Sequence, residues 1–494
     1  MNEVPGHRST EVSHHILPDE RGFRVPVPDD ERTGPAKAGG HVSAPFPDGF
    51  LWGAATASFQ IEGSTAAEGR GSSIWDTFCA RPGTVANGDT GEPAADHYRL
   101  MPADVRLMAE LGLRAYRFSI AWPRVRPDGG TVNAAGLDFY DRLLDELLEH
   151  GIAPWPTLYH WDLPQALEDR GGWTNRDTGY RFADYVDSVL ERLGDRVSNW
   201  TTLNEPWCSA FLGYAAGVHA PGRTEPCAAV AAGHHLLLAH GEGLAVIRER
   251  VPHAGVGITL NLFPVRARDP ADEADVEAAR RVDALQNRFF LDPLLRGSYP
   301  RDLLSDLEPF GLGEHVKTDD AERIAAPVDL LGVNYYHDHI VTGRSGGGPT
   351  APSPWVGAEY VRFPGRGLPR TDMGWEVVPE GLTELLLGLN RDFPGTPLYV
   401  TENGAAYPDV VTASGVDDPE RVAYLESHLA AAHEALRRGV DLRGYFYWSL
   451  LDNFEWAEGY AKRFGLVHVD YATQRRTPKA SAYRYARVIA ENGL

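Results

Sequence analysis

The sequence predicts an α/β fold, a single (β/α)₈ TIM barrel with long loops after its strands. From residue 45 onward, short apolar runs alternate with longer amphipathic stretches along the 494-residue chain. Most of the runs are apolar at successive positions, as parallel strands are when helices cover both faces of the sheet. Eight such units are enough to close a barrel, which can exceed about 400 residues as one domain.

The eight predicted strands are residues 50–55, 115–120, 153–158, 200–204, 256–261, 330–335, 397–401 and 444–448. Crossover helices are predicted between them. Apolar residues of the segment 137–148 recur at helical spacing, with Asn133 as a possible N-cap and Gly151 as a C-terminal stop. The same reasoning predicts helices over 182–193 and 227–247.

The predicted barrel occupies residues 45–494. Residues 1–44 hold five prolines, mixed charges and few large apolar side chains, so they predict a disordered tail. A Gly- and Pro-rich stretch at 343–369 follows the sixth strand and is interpreted as a long loop, not as a domain boundary.

Composition excludes several classes of partner. The 47 basic and 69 acidic residues give a net charge of −22, which disfavours nucleic acid and anionic membrane surfaces. No apolar window is long enough for a membrane span, and the N-terminus lacks the apolar core of a signal peptide, so a cytoplasmic protein is predicted. Cys79, Cys208 and Cys227 form no C-x-x-C pair, which predicts buried or partly buried inert thiols without a disulfide framework or zinc site.

Polar and aromatic side chains collect where the predicted strands end, which is where barrel enzymes carry their functional groups. These residues are Gln60 and Glu62, Arg117, His160, Asn204 and Glu205, Tyr336, Glu402, Trp448, Glu455 and Trp456. Taken singly, N-E-P could be a helix start and E-N-G a tight turn. Their coincidence at one end of a barrel favours a site with two glutamates among aromatic, amide and imidazole groups, which is what cleavage of a glycosidic bond requires.

Seven motifs recur along the predicted barrel: F-L-W-G-A-A-T-A-S-F-Q-I-E-G, Y-R-F-S-I-A-W-P-R, L-Y-H-W-D-L-P, T-L-N-E-P, G-V-N-Y-Y, V-T-E-N-G and Y-W-S-L-L-D-N-F-E-W. Through these motifs the chain resembles a glycoside hydrolase family 1 β-glucosidase over about residues 45–490. The resemblance implies a retaining mechanism in which Glu402 is the nucleophile and Glu205 the acid/base. It also places Arg117 and Tyr336 beside the nucleophile, where they are expected to keep its pKa low.

The resemblance further implies how the substrate is held. It assigns Gln60, His160, Asn204, Glu455 and Trp456 to the hydroxyls of the nonreducing sugar, Tyr336 to the same site, Trp448 to the floor beneath the ring and Trp375 to the leaving group. The implied substrates are small β-glucosides and cello-oligosaccharides, as in cellulose degradation, and neither a metal nor an organic cofactor is needed because two carboxyl groups supply the chemistry.

Three alternatives compete with this interpretation. A 6-phospho-β-glycosidase of the same family is disfavoured because Glu455 would repel the phosphate. A non-catalytic sugar-binding barrel would have lost one of the two glutamates, and a thioglucosidase would carry glutamine in place of Glu205. The choice among glucose, galactose and fucose, the natural leaving group and the oligomeric state stay open.

Overall fold

The computed structural model describes residues 44–344, 352–413 and 415–494. A closed barrel of eight parallel strands lies at its centre, which confirms the predicted fold class. The strands are β1 Leu51–Ala55, β2 Ala115–Ser119, β3 Ala153–Tyr159, β4 Asn199–Asn204, β5 Gly255–Asn261, β6 Leu330–Asn334, β7 Leu398–Asn403 and β8 Leu442–Trp448. Each strand pairs with its successor along the chain, and β8 pairs with β1 to close the ring.

All eight predicted strands are present, and their ends differ from the predicted ones by two residues at most. The largest differences are that β7 runs on to Asn403 and that β8 begins at Leu442. The extension of β7 has a cause in the ladder, because Glu402 pairs with Asn334 of β6 and Asn403 with Tyr447 of β8. The end of β7 that carries Glu402 is therefore paired with a strand on each side.

Helices surround the barrel and cover its outer face. The longer ones are His97–Glu110, Ala134–Glu149, Asp177–Leu193, Pro226–Arg250, Glu273–Asp283, Phe289–Arg296, Pro379–Asp392, Pro419–Arg437 and Ala480–Glu491. Asn133 is the N-cap residue predicted from the sequence, but its side chain makes no cap hydrogen bond. Its Nδ2 instead donates to the carbonyl oxygens of Glu68 and Arg124, so it ties two loops together.

The inside of the barrel is filled below the strand ends. Trp155 on β3 is 1% exposed, and its ring lies 4.9 Å from Tyr399 and 5.2 Å from Phe446, on the opposite side of the barrel. Its indole nitrogen donates to Thr201 Oγ1 at 2.9 Å, so the buried polar atom is satisfied. Arg117 on β2 pairs with Trp155 in register, and paired residues share one face of the sheet. The indole therefore lies beside Arg117 on the inner face of the barrel.

The short pieces of sheet outside the barrel belong to its loops. The antiparallel pair Val410–Thr412 and Gly415–Asp417 follows β7, and Val467–Asp470 pairs with Arg475–Pro478 after β8. None of the described helices is both long and apolar enough to cross a membrane. The predicted disorder of residues 1–44 concerns a segment of which 1–43 lie outside the described residues, so it stays a prediction.

A buried ionic network anchors the loop after β8. Lys479 Nζ donates to Asp452 Oδ1 at 2.7 Å and lies 2.8 Å from Asp409 Oδ2, while Arg463 donates to Asp452 Oδ2 at 2.7 Å. Lys479 and Asp452 are fully buried. Removing one member of such a network leaves an uncompensated buried charge, which is more costly than losing an exposed pair.

Replacing Lys479 with methionine should therefore lower the free energy of unfolding by about 3 kcal/mol, measured as the midpoint and slope of urea unfolding. Arg391→Met is the matched control, because Arg391 is 76% exposed and its pair with Asp392 lies at the surface. That variant should unfold at the wild-type midpoint. A Lys479→Met protein as stable as the wild type would show that the network does not anchor the loop.

Candidate active site

A cavity of about 370 Å³, here called the central cavity, opens at the carboxyl ends of the barrel strands. The predicted site residues that line it are His160, Glu205, Tyr336, Trp375, Glu402, Trp448, Glu455 and Trp456. Gln60, Arg117 and Asn204 lie behind this lining and are fully buried. Apart from Glu62, the structure thus brings the predicted set together at one end of the barrel, while the role of each residue stays a prediction.

Glu402 is clamped by two donors. Arg117 NH1 donates to its Oε1 at 2.7 Å, and the Tyr336 hydroxyl donates to its Oε2 at 2.7 Å. Arg117 is 1% exposed, so its charge acts with little screening by water. Both carboxylate oxygens are therefore oriented by a hydrogen-bond donor, a guanidinium cation at Oε1 and a neutral hydroxyl at Oε2.

The resemblance led us to expect a low pKa for Glu402. The pKa of Glu402 nevertheless lies above its ordinary value. Burial raises the pKa of Glu402, and the opposing effects of Arg117 and Tyr336 do not fully cancel it. The expectation failed because it counted the donors but not the cost of removing a carboxylate from water. The two donors still distinguish Glu402 from the other carboxyl groups of the cavity.

Glu205 has a different environment. It follows β4 directly in a left-handed backbone conformation with φ +46°, which is uncommon for a residue other than glycine. Asn334 Nδ2 donates to its Oε1 at 2.8 Å and the Cys208 thiol to its Oε2 at 3.3 Å, but no cation contacts it among the described residues. Burial and the charge of Glu402 raise the pKa of Glu205 to about 8. A proton shared between the two acids belongs on Glu205.

A chain of hydrogen bonds fixes the polarity of the buried amide and imidazole. Arg117 NH2 donates to Asn204 Oδ1 at 2.6 Å, so the amide oxygen is the acceptor and Nδ2 points to His160. Nδ2 lies 3.1 Å from His160 Nε2 and can only donate, so the ring proton belongs on Nδ1. Burial holds the pKa of His160 well below its usual range. His160 is therefore neutral, and its Nδ1 has no described protein partner.

Aromatic rings form the walls around His160. The rings of Trp448 and Trp456 lie 5.7 Å and 6.0 Å from the imidazole and are nearly parallel to it. Trp161 packs against Trp456 at 4.5 Å. Both Trp161 and Trp456 have positive φ values, so the loops that carry them hold side chains in place at some cost in backbone energy.

The loop after β8 brings a third carboxyl group to the cavity. Glu455 is half-buried, and its Oε2 has no hydrogen-bond partner among the described residues. Burial, together with the charges of Glu402 and Glu205, raises the pKa of Glu455 to about 8. Gln60 Nε2 donates to Asn453 Oδ1 and to the Phe454 carbonyl, just before Glu455, and its Oε1 is left without a described partner.

Trp375 lies at the outer side of the cavity. Its ring is 5.3 Å from that of Tyr336, which contacts Glu402, and 5.3 Å from that of His337. Trp375 is half-buried, unlike the fully enclosed Trp448. It therefore marks the passage from the two central glutamates to solvent.

Sequence reasoning missed two contacts of Glu205. The sequence presents Asn334 only as a member of the G-V-N-Y-Y motif, and it predicts that Cys208 is a buried or partly buried thiol without a role in the site. Cys208 is the first residue of the π-helix Cys208–Ala216, two positions after the T-L-N-E-P motif. The sequence signal that could have indicated this contact is the spacing, because the thiol follows Glu205 by three residues. Cys227 is exposed, whereas the sequence predicts a buried or partly buried thiol.

Glu62 does not join the site, although it follows Gln60 by two residues. Its Oε2 accepts from Arg124 at 2.9 Å and its Oε1 from the Tyr140 hydroxyl at 2.7 Å. Gln60 lies in the short helix Ser58–Ile61 and Glu62 is the C-cap residue of that helix, and side chains two residues apart on a helical turn point in different directions. Glu62 is thus part of a buried ion pair.

One group of side chains among the described residues has ligand atoms close enough for a metal ion: Asp409, Asp452 and His468. Lys479 already contacts both carboxylates of this group. The protein therefore supplies the compensating charge itself, away from the central cavity.

Comparisons with known proteins agree on one family. The family described as Glycosyl hydrolase family 1 matches residues 42–494. The thermostable beta-glucosidase B of Thermobispora bispora is 55% identical over 452 residues, 91% of this chain and 91% of that protein. The psychrophilic beta-glucosidase BglU from Micrococcus antarcticus is 57% identical, with a TM-score of 0.88 over 91% of this chain and 98% of that one. The beta-glucosidase from Thermotoga maritima in complex with deoxynojirimycin is 47% identical, with a TM-score of 0.87 over 91% of this chain and 100% of that one.

Proposed function

The chain belongs to glycosyl hydrolase family 1, and on this premise we propose that it is a retaining β-glucosidase. It removes terminal nonreducing β-D-glucosyl residues from small β-glucosides and cello-oligosaccharides. Glu402 is the nucleophile and Glu205 the acid/base. The names of the relatives support the substrate class, and the unequal surroundings of the two glutamates support the assignment of roles.

The contrast between the two carboxyl groups carries the proposal. Glu402 has a buried guanidinium and a phenol on its two oxygens, which favour the ionised form that attacks carbon. Glu205 has only neutral donors, and its pKa of about 8 keeps it protonated at neutral pH, as a general acid must be. Retaining glycosidases need this division between two carboxyl groups.

In the first step, Glu402 attacks the anomeric carbon while Glu205 gives its proton to the departing oxygen. The glycosidic bond breaks and an ester to Glu402 forms. The negative charge of Glu402 disappears in this ester, and that charge is one cause of the raised pKa of Glu205. Glu205 therefore becomes a stronger acid and is left ionised.

In the second step, ionised Glu205 takes a proton from water, which attacks the same carbon and releases Glu402. Two inversions give net retention. Arg117 again pairs with the carboxylate that leaves, so it assists both the attack and the release.

The remaining residues orient the sugar. His160 Nδ1, Gln60 Oε1 and Glu455 Oε2 are among the buried polar atoms without a described protein partner, and these three are what sugar hydroxyls would satisfy. Trp448 lies beneath the ring and Trp456 at its edge. Asn204 binds the 2-hydroxyl, a contact that strengthens as charge develops at the anomeric carbon.

A 6-phospho-β-glycosidase is a poorer fit to this cavity. None of the described residues that line it is a lysine or an arginine. Its histidines are kept neutral by burial, since the pKa values of His160, His219 and His339 are all lowered. A phosphate dianion would meet four glutamates, Glu205, Glu402, Glu455 and Glu458, without a compensating cation in the lining.

The proposal places the enzyme in the cytoplasm, where short products of cellulose degradation would be split to glucose. The unpaired Cys79, Cys208 and Cys227 support a reducing compartment.

A 2-deoxy-2-fluoro-β-glucoside with a good leaving group should label Glu402 covalently, because the fluorine slows both steps while the good leaving group speeds only formation of the ester, which therefore accumulates. Peptide mass spectrometry after proteolysis locates the adduct. The Glu402→Gln variant serves as the control and should stay unlabelled. An adduct on any other residue would overturn the assignment of the nucleophile.

Glu205→Ala should hydrolyse glucosides with poor leaving groups about 10² to 10⁴ times more slowly, and those with activated leaving groups much less so. Added azide should restore turnover of an activated substrate and give the β-glucosyl azide, since it attacks from the side that the missing carboxylate vacates. Azide with Glu402→Ala should give the opposite anomer. Equal rate losses for both classes of leaving group would contradict the role of Glu205.

The value of kcat/KM should fall on the alkaline side as pH rises through about 8, because Glu205 then loses its proton in the free enzyme.

The Cys208 thiol donates to the ionised form of Glu205 and lowers the pKa of that carboxyl group. Cys208→Ala should therefore move the alkaline limb to higher pH by roughly half a pH unit. Cys208→Ser keeps a donor and should return the limb to its wild-type position. Cys79→Ala is the buried-thiol control, and a limb that stays fixed in Cys208→Ala would exclude this contribution.

A further inference from the structure

A row of buried hydroxyl and amide groups, here called the threonine–asparagine chain, crosses three neighbouring barrel strands and ends at Glu205. Thr259 Oγ1 on β5 donates to Thr401 Oγ1 on β7 at 3.3 Å, and Thr401 Oγ1 donates to Asn334 Oδ1 on β6 at 2.8 Å. Asn334 Nδ2 then donates to Glu205 Oε1 at 2.8 Å. Thr259, Thr401 and Asn334 are fully buried, so each polar atom depends on its neighbour in the chain.

Gly332 on β6 leaves the space that the two hydroxyls occupy. A Cβ atom at this position would lie 2.2 Å from Thr259 Oγ1 and 2.8 Å from Thr401 Oγ1. Both distances are shorter than the contacts that a Cβ atom makes with oxygen, so a side chain here would displace the hydroxyls. The glycine of the G-V-N-Y-Y motif therefore belongs to the same arrangement as its asparagine.

The direction of donation follows from the acceptors at the end of the chain. Asn334 Nδ2 faces Glu205 Oε1 at 2.8 Å and Asn204 Oδ1 at 3.1 Å. Asn204 Oδ1 is an acceptor because Arg117 donates to it. The nitrogen of the Asn334 amide must therefore face the site, and its oxygen must face Thr401. The Thr401 hydroxyl is the donor that satisfies this oxygen.

We propose that Thr401 is a positioning residue for the acid/base: its hydroxyl orients the amide of Asn334, and that amide orients Glu205 and supports its ionised form. This inference rests on the proposed function. Without the hydroxyl, Asn334 Oδ1 is a buried acceptor without its donor, so the amide shifts and its donation to Glu205 weakens. Thr401 directly precedes Glu402 in the chain, yet its hydrogen bonds lead to the other catalytic glutamate.

The substitution Thr401→Val isolates this effect, because it removes a hydroxyl and keeps the branched shape. The charged or titratable groups around Glu205 are Arg117, Cys208, Tyr336, Glu402 and Glu455, and the substitution replaces none of them. Donation from Asn334 lowers the pKa of Glu205, so weaker donation raises it. Asn334 also lowers the pKa of Glu402, but that carboxylate keeps its two donors, Arg117 and Tyr336.

The test measures kcat/KM against pH and against the leaving group. In Thr401→Val the alkaline limb should move to higher pH by roughly half a pH unit. The value for phenyl β-glucoside, whose leaving group needs the acid, should fall about tenfold, and the value for dinitrophenyl β-glucoside by less than about twofold. Thr401→Ser keeps the hydroxyl and should restore both. Thr383→Val is the matched control, because it removes a buried hydroxyl that donates to the Ala431 carbonyl between two outer helices, and it should match the wild type.

A double-mutant cycle tests whether Thr401 acts through the amide. Asn334→Ala should shift the limb at least as far as Thr401→Val, and the double variant should shift it no further than Asn334→Ala alone. Where Thr401→Val gives too little folded protein, Thr401→Ala lacks the same hydroxyl and must show the same shift.

A limb that stays at its wild-type position in folded Thr401→Val would overturn the inference, as would a further shift in the double variant. Equal rate losses for the two glucosides would assign the hydroxyl to Glu402 or to the fold, and would overturn it too. Failure of the proposed function differs, since the wild type would then hydrolyse neither glucoside. In that event a carbon NMR titration of the labelled Glu205 carboxyl group, assigned with Glu205→Gln, still decides: an unchanged pKa in Thr401→Val would count against Thr401.

Discussion

The buried guanidinium of Arg117 is the constraint on which the site depends. It is wholly a donor, so every oxygen that it contacts must be an acceptor. One arm fixes Glu402, and the other fixes the amide of Asn204. The orientation of Asn204 then fixes the tautomer of His160. A single charge, which lies beside Trp155 on the inner face of the barrel, thus sets the polarity of groups on β4, on β7 and directly after β3.

The same charge also explains how a strongly acidic chain can use acids for chemistry. Besides the exposed Glu458, three carboxyl groups line the central cavity, those of Glu205, Glu402 and Glu455, and burial together with their mutual repulsion would keep all three protonated. Arg117 breaks this symmetry because it contacts Glu402 alone among the three. Glu205 and Glu455 keep high pKa values, each raised in part by the charge on Glu402. The acid and the nucleophile are therefore coupled properties of one cluster.

The barrel was predictable because strands covered on both faces are apolar at successive residues, a pattern that requires no knowledge of distant contacts. The positions of Glu205 and Glu402 followed from the rule that parallel strands end at one edge. Side-chain direction in the loops was not predictable in this way. Glu62 turns to Arg124 instead of the cavity, and the thiol of Cys208 reaches back three residues to Glu205 across the turn that follows β4. The pKa of Glu402 also depends on burial, which a motif does not report.

The side chains on the barrel strands and those in the loop after β6 differ in how they are supported, and this difference bears on how specificity can change. In the central cavity Arg117, Asn204 and Glu402 are held on barrel strands, and a substitution at one leaves a buried partner unsatisfied. In the loop after β6 Phe363 contacts His339 and Trp355 through ring packing at a partly exposed position, so replacing it leaves no buried polar atom unsatisfied. Preference for the leaving group can therefore vary through loop residues while the chemistry at the strand ends stays the same.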